Sequence, residues 1–115
     1  MIAARRAWAE ANKDTLVRFI RAMASAFGFI RDGANRGEVI KAMVELTGAS
    51  DDIARQTLAL YFEPDRGVLP KQAEIDLKGL AQVIAFMAEG GVLEPPLPAP
   101  ERFVDLQYLR AAGVY

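Results

Sequence analysis

The side chains that most often carry out chemistry are sparse in this sequence of 115 residues. Histidine and cysteine are absent, which excludes Ser-His-Asp triads, cysteine nucleophiles, disulfides, and zinc sites built from imidazole or thiolate. A general base would have to be a carboxylate, a lysine or a tyrosine with a shifted pKa. Nothing in the sequence supports an enzyme, and we predict a chain with no catalytic residue and no cofactor.

Carboxylates occur in three pairs, and paired carboxylates can serve acid–base catalysis or bind a hard metal ion. The pairs are Asp51 with Asp52, Glu63 with Asp65, and Glu74 with Asp76. Each pair lies at a predicted helix start or beside proline or glycine, where capping and turn formation account for it. We therefore predict no metal site.

Three side chains are the candidates for a ligand contact, namely Trp8, Arg5 and Tyr61. A lone aromatic residue on a helix is usually part of the core, so packing is the favoured interpretation of Trp8 and Tyr61. Arg5 belongs to a scattered set of arginines that is diluted by Asp14 and Asp32. A solvated face is the favoured interpretation of that set.

The charge balance and the hydropathy argue against two classes of partner. Lys and Arg total 14 against 15 for Asp and Glu, a net charge of -1, whereas a nucleic-acid binder normally carries a basic excess. A helix-turn-helix reading of residues 35–62 would direct Asp51 and Asp52 toward phosphate, so we predict no nucleic-acid partner. No apolar run approaches the ~20 residues that span a bilayer, and no secretory signal opens the sequence. We predict no membrane insertion.

The hydrophobic period is helical almost throughout, and no segment alternates as a strand would. Helices are predicted over residues 7–11, 14–31, 36–47, 51–62, 77–89 and 106–112, with residues 1–4 as a possible strand end. Residues 94–104 contain Pro95, Pro96, Pro98 and Pro100 and are predicted to be an extended connector, because proline disfavours helix at the residue before it. A terminal helix is expected within 105–113. Residues 1–115 are thus predicted to be one all-α segment of five to six helices.

Polar residues mark the predicted helix boundaries. Asn35 with Glu38 resembles a capping box, and Ser50 and Asp76 are typical N-caps. Gly48 fits the left-handed position that ends a helix. Asn12 is predicted to cap the helix that follows it.

Several predicted helices carry more apolar surface than one stripe. The second flanks are Val17 with Phe19, Ile40 with Val44, Tyr61 with Phe62, and Val83 with Phe86. Large exposed apolar patches mark interfaces. Two interpretations stay open: the flanks complete a compact bundle, or they pack on a surface that this chain does not contain.

A succession of short segments is similar to that of a known family. The segments are RRAW at 5–8, ANKDTLVRFIRA at 11–22, NRGE at 35–38, LTG at 46–48, ID at 75–76, GVL at 91–93 and PERFVDLQYL at 100–109. In order and spacing they resemble the C-terminal part of periplasmic solute-binding proteins of ABC importers, of the nitrate/sulfonate/taurine type and its thiamine-precursor-synthesis relatives.

The resemblance implies a non-catalytic segment of an ABC transporter substrate-binding protein for a small organic molecule or anion. The parent fold has two α/β lobes, is periplasmic, and contacts an ABC permease. Nearly all of both lobes is missing here, so we expect the chain not to bind ligand alone. Residues 1–4 would end a hinge strand, which brings Trp8 near the cleft in a full-length relative.

The alternative is a free-standing helical module for protein association that forms a homodimer. Both readings give the apolar flanks a partner, which is either the missing lobes or a second copy of the chain. We therefore expect a homo-oligomer when the chain is alone.

Overall fold

The computed structural model describes residues 3–62 and 69–114. Within them the chain forms helices and no strand, which confirms the all-α prediction. The α-helices are α1 Arg6–Ala11, α2 Lys13–Arg31, α3 Arg36–Thr47, α4 Asp51–Tyr61, α5 Leu77–Glu89 and α6 Gln107–Ala112, with two 3-10 helices at Gly33–Asn35 and Pro100–Phe103. Half of the predicted strand end at residues 1–4, namely Met1 and Ile2, lies outside the described residues.

The contacts divide the chain into two compact units, where the sequence suggested one segment. Unit 1 comprises Met1–Arg18 and Glu74–Tyr115, and unit 2 comprises Phe19–Ala73. The boundary falls inside the continuous helix α2. Hydrophobic periodicity reports local conformation only, so it cannot reveal a division of this kind.

The core of unit 2 lies between α3 and α4. Val39 and Ile40 on α3 are buried together with Ala54 and Leu58 on α4, and these two are 1% and 3% exposed. Ala54 and Leu58 are four residues apart and so share one side of α4. The partly buried side chains around this cluster are Ile30, Met43, Val44 and Phe62. A small residue at position 54 lets the two helices approach closely, as close-packed helices do at about 8–10 Å between axes.

The helical period places Leu46 on one stripe with Val39 and Met43, and Ile53 on the apolar side of α4, so both are expected to be buried, but both are exposed. Leu46 is 86% exposed and Ile53 is 56% exposed. The side of α3 that contacts α4 is centred nearer Ile40 than Leu46, and Ala54 rather than Ile53 faces the core. The sequence shows which residues form an apolar stripe on a helix. Which edge of that stripe contacts a neighbouring helix depends on the angle at which the two helices cross.

Three predicted boundary residues act as expected. Gly48 ends α3 in the left-handed conformation with φ 71°, and the Ser50 hydroxyl accepts from the Ile53 backbone N–H at 3.3 Å. Asp76 Oδ1 accepts from the N–H groups of the second and third residues of α5 at 3.0 Å each. A Cβ at Gly79 would lie 2.7 Å from Asp76 Oδ2, so glycine there leaves room for the capping carboxylate.

The two asparagines differ from the capping predictions in their side chains. Asn12 directly precedes α2 and its carbonyl accepts from the Leu16 N–H at 3.0 Å, but its side-chain amide donates to the Trp8 carbonyl at 2.9 Å and so acts on the end of α1. Asn35 makes no side-chain cap and donates to the Phe29 carbonyl at 3.1 Å. The 3-10 helix Gly33–Asn35 runs directly into α3 and holds Asn35 at φ -89°, ψ 0°, whereas an N-cap residue needs an extended backbone.

The connector of unit 1 is less extended than its prolines suggest. Residues 94–104 include a cis Pro95–Pro96 bond and then the 3-10 helix Pro100–Phe103, which contacts α5. Proline at the first position of that turn has the fixed φ that a helical turn requires, so it begins a turn instead of preventing one. The terminal helix α6 occupies Gln107–Ala112 within the expected 105–113, and its Tyr108 and Leu109 are buried.

Asp105 joins the start of α6 to the start of α1. Its carboxylate accepts from the Gln107 backbone N–H at 3.2 Å and from the Gln107 side-chain amide at 2.7 Å, and Arg6 Nη1 lies 3.6 Å away. The side-chain hydrogen bond from Gln107 lowers the pKa of Asp105 below its usual value, and the Gln107 backbone N–H and Arg6 lower it further by smaller amounts. Partial loss of hydration acts in the opposite direction but does not cancel this lowering.

We predict that Leu58→Ala destabilises the chain far more than Leu60→Ala. Leu58 is 3% exposed and Leu60 is 58% exposed on the same helix. Truncating a buried leucine costs about 2–5 kcal/mol, whereas an exposed one costs about 0.5 kcal/mol or less. Urea unfolding followed by circular dichroism measures both, and equal losses would contradict the packing described for α4.

We predict that Asp105 contributes pH-dependent stability that Asp105→Asn lacks. Because the folded-state pKa is depressed, the contribution is complete above about pH 5 and is lost as the pH falls through that pKa. Thermal unfolding of both proteins between pH 6 and pH 2.5 should show the advantage of the wild type shrinking with acid. The other carboxylates cancel in the comparison, and a constant difference would exclude this role.

Candidate interaction surface

The carboxylate pairs take local structural roles where the structure describes them. Asp51 pairs with Arg55 one turn later in α4, and Asp76 caps α5. Glu63 and Asp65 lie outside the described residues. Within the described residues no group of three or more acidic side chains comes together as metal ligands.

The three ligand candidates lie in different parts of the chain. Arg5 precedes α1 in an extended conformation, and Trp8 on α1 is 47% exposed, so only half of its indole is covered. Arg5 and Trp8 belong to unit 1, whereas Tyr61, the last residue of α4, belongs to unit 2 and is 36% exposed. A ligand-binding role for any of them stays a prediction.

Arg31 has a role that the sequence does not reveal. Its Nη2 donates to the Leu69 carbonyl at 2.7 Å and its Nε donates to the Pro70 carbonyl at 3.2 Å. The guanidinium also lies 5.7 Å from the centroid of the Phe62 ring, within cation–π range. Arg31 therefore ties residues 69–70 to the C-terminal end of α2. Its place in the last turn, favoured by the helix dipole, is the only sequence signal.

A cavity between α3 and α4 is too small for a ligand site of the usual kind. Its volume is about 160 Å³, and it is lined by Arg36, Ile40, Arg55, Leu58 and Ala59. Pockets for small molecules typically measure ≈ 300–1,000 Å³. Arg55 is already paired with Asp51, so the charge at this cavity is partly neutralised.

Exposed apolar side chains are the most prominent feature of the surface. Among the described residues thirteen large hydrophobic side chains are exposed, against nine hydrophobic residues that are buried. The exposed ones are Trp8, Phe19, Phe29, Leu46, Ile53, Leu60, Tyr61, Val83, Phe86, Met87, Val92, Leu97 and Phe103. Scattered apolar residues are normal, but contiguous ones mark contact with another macromolecule.

In unit 2 two of the three exposed large apolar side chains of α4 lie on one side. Ile53 and Leu60, which we call the α4 flank, are seven residues apart and so stand above one another two turns apart. This flank is distinct from the side that carries Ala54 and Leu58 against α3. Leu46, at the end of α3, is the most exposed apolar residue in unit 2.

In unit 1 the exposed apolar residues concentrate on α5. Val83, Phe86 and Met87, which we call the α5 face, are 54%, 75% and 38% exposed, whereas Ile84 is 6% exposed. Steps of three and four residues place these three side chains in one stripe. A helix that is apolar on nearly all sides is normally buried, so the α5 face lacks the cover that its composition suggests.

The second flanks differ in their exposure. Val83 and Phe86 are exposed, and Phe19 is 45% exposed. Val17 and Ile40 are buried instead, because each faces the packed side of its helix. The α4 flank was not recognisable in advance, since Ile53 fits the core stripe of α4 equally well by period.

Comparison with known proteins finds no relative of this chain. No protein-family model matches the chain, nor does a curated protein or a solved structure. Within the described ranges no helix has the combination of length and hydropathy that crossing a membrane requires.

We predict that Arg31→Lys destabilises unit 2 by about 1 kcal/mol, because lysine keeps the charge but cannot reproduce the two-pronged donation or the stacking. Arg18→Lys, on the same helix, is the matched control and should change stability by less than about 0.5 kcal/mol. Urea unfolding followed by circular dichroism compares the two variants. An Arg31→Lys protein as stable as the control would show that the bonds to Leu69 and Pro70 contribute nothing.

Proposed function

We propose that this chain is a non-catalytic helical segment of an ABC-importer solute-binding protein and packs on the α/β lobes of that protein. The observation that carries the proposal is the uncovered apolar surface of unit 2, where Leu46, Ile53 and Leu60 are 86%, 56% and 58% exposed. Exposing large apolar side chains to water costs free energy, and a protein surface that covers them removes this cost.

The sequence segments that resemble the family support the proposal, and several of them lie at helix boundaries of this chain. Leu46, Thr47 and Gly48 form the end of α3, with Ser50 capping α4, and Asp76 caps α5. By the same resemblance the parent protein is periplasmic, contacts a permease, and binds a small organic molecule or anion in a cleft that this chain does not contain.

A second candidate function is a free-standing helical module that associates with its own copies. The observation that favours it is the α5 face of unit 1, where Val83, Phe86 and Met87 are exposed. Neither candidate calls for a cofactor or for a catalytic residue.

The DNA on either side of the coding region tests the first candidate. We expect an in-frame upstream sequence that encodes two α/β lobes, with genes for an importer permease and ATPase close by. A stop codon and a translation start directly before Met1, among genes unrelated to transport, would contradict it.

We also predict that the chain alone binds no transporter ligand, because the lobes that form the cleft are missing. Isothermal titration with taurine, nitrate and an aminopyrimidine, each raised to about 1 mM, should give no saturable heat; at that concentration a ligand of micromolar affinity would saturate the chain. Trp8 fluorescence provides a second readout in the same titrations. One-to-one saturation by any of the three would show that a complete binding site exists within this chain.

A further inference from the structure

We propose that one side of α2 pairs with the same side of a second copy of the chain, with the two α2 helices antiparallel. The proposal rests on the second function given above and deepens it, since it names a contact surface, its direction and its register. The surface, which we call the α2 stripe, consists of Phe19, Ala22, Ala26 and Phe29. Two observations favour a second copy as its partner: the stripe has the same residues when it is read from either end, and two opposite charges flank it at matching positions.

The α2 stripe is continuous and exposed. Phe19 and Phe29 are 45% and 44% exposed, and Ala22 and Ala26 between them are exposed as well. Successive steps of three, four and three residues place the four side chains within about 80° of arc on the helix, and no charged residue of α2 falls within that arc. The same steps separate the a and d positions that form the seam of a coiled coil. The stripe therefore has the spacing that contact with another helix requires.

The stripe is symmetric about its own middle. Phe19 and Phe29 lie five residues before and after Ala24 in the sequence, and Ala22 and Ala26 lie two residues before and after it. A two-fold axis at this level, perpendicular to both helices and to the plane that contains them, places Phe19 of one copy level with Phe29 of the other. The same axis places Ala22 level with Ala26. A two-fold contact between identical chains requires self-complementarity of this kind.

Two opposite charges flank the stripe on one edge of α2. Arg18 lies about 60° from the middle of the stripe, and Asp32, directly after the helix, lies about 100° from the middle in the same direction. The two-fold axis brings equal edges of the two copies together, so Arg18 of one copy lies within about 3 Å of Asp32 of the other along the axis, twice. In a parallel pair the two residues would stay about 20 Å apart along the axis. The charges therefore favour the antiparallel direction.

Both charged groups can make this contact. Within the described residues Arg18 forms no ion pair, although Asp14 lies one turn before it. The Asp32 carboxylate accepts from the Ala34 N–H through Oδ1 at 2.9 Å. Since that bond uses Oδ1, Oδ2 can accept from Arg18 of the other copy.

The contact is small, so we expect a weak dimer. The half-exposed rings of Phe19 and Phe29 together offer roughly 140–220 Å² per copy, taking 150–250 Å² for a full aromatic side chain. A standard interface buries about 800 Å² per partner, of which about 60% is apolar. Smaller interfaces are typical of weak and transient complexes, so the pairing has to be tested on the concentrated chain.

Disulfide cross-linking tests the direction and the register, because the chain has no cysteine of its own. In the antiparallel pair Ala22 of one copy faces Ala26 of the other across the seam, close enough for the ~3.5–4.5 Å between Cβ atoms that a disulfide needs. Two copies of either alanine are instead about 6 Å apart along the axis. We expect Ala22→Cys mixed with ¹⁵N-labelled Ala26→Cys to form the mixed disulfide about tenfold faster than either variant cross-links to itself.

Intact mass distinguishes the mixed product from the two self-linked products, because only one of the variants carries the label. Gly28→Cys is the control, since Gly28 is exposed and lies about 140° from the middle of the stripe. It should cross-link more slowly than the mixed pair.

A charge variant tests the edge of the contact. Arg18→Asp places two carboxylates beside each other at both ends of the pair and should weaken the dimer about tenfold in sedimentation equilibrium at low salt. Arg18→Lys keeps the charge, is the matched control, and should leave the affinity within about twofold of the wild type.

The outcomes separate the α2 pairing from the function on which it rests. A wild type that sediments as a monomer at about 1 mM, a concentration that would populate even a dimer with that dissociation constant, overturns both. A dimer whose mixed disulfide forms no faster than the self-linked products, or which Arg18→Asp does not weaken, overturns the α2 pairing and leaves self-association through another surface.

Discussion

The central constraint on this chain is that its helices carry more apolar surface than their neighbours within the same unit can cover. Phe86 alone exposes roughly 150 Å² of ring, and at about 25 cal/mol per Å² its burial would be worth about 3–4 kcal/mol. That is a large part of the 5–15 kcal/mol by which a domain of ordinary size is stable. Burying such residues would therefore stabilise the folded chain strongly. Both proposed functions provide a surface that buries them.

Local chemistry, rather than a large core, defines where the helices begin and end. The Ser50 and Asp76 caps and the left-handed Gly48 each act on backbone groups at a helix end, and Arg31 at the end of α2 donates to the loop carbonyls of Leu69 and Pro70. Each such interaction is worth about 1 kcal/mol, comparable to the loss from a modest change in the core. A fold held in this way keeps its helices well formed while it leaves whole faces available for a partner.

The sequence predicts the local features of this fold and misses those that depend on packing. The helices, the caps at Ser50 and Asp76, and the surplus at Val83 and Phe86 follow from spacing and residue type. The exposure of Leu46 and Ile53 does not, because a period of 3.6 residues identifies a stripe but not the edge of it that a neighbour covers. Asn35 fits a capping box by spacing, yet the 3-10 turn before α3 directs its amide to Phe29.

The most direct test of the account is the dependence of unfolding on protein concentration. If the exposed apolar faces are covered by a second copy in the isolated chain, association stabilises the folded state by mass action. The urea midpoint, followed by circular dichroism, should then rise over roughly a hundred-fold increase in chain concentration. An identical midpoint across that range, with the chain folded throughout, would show that the helices need no partner chain of their own kind and would contradict the account.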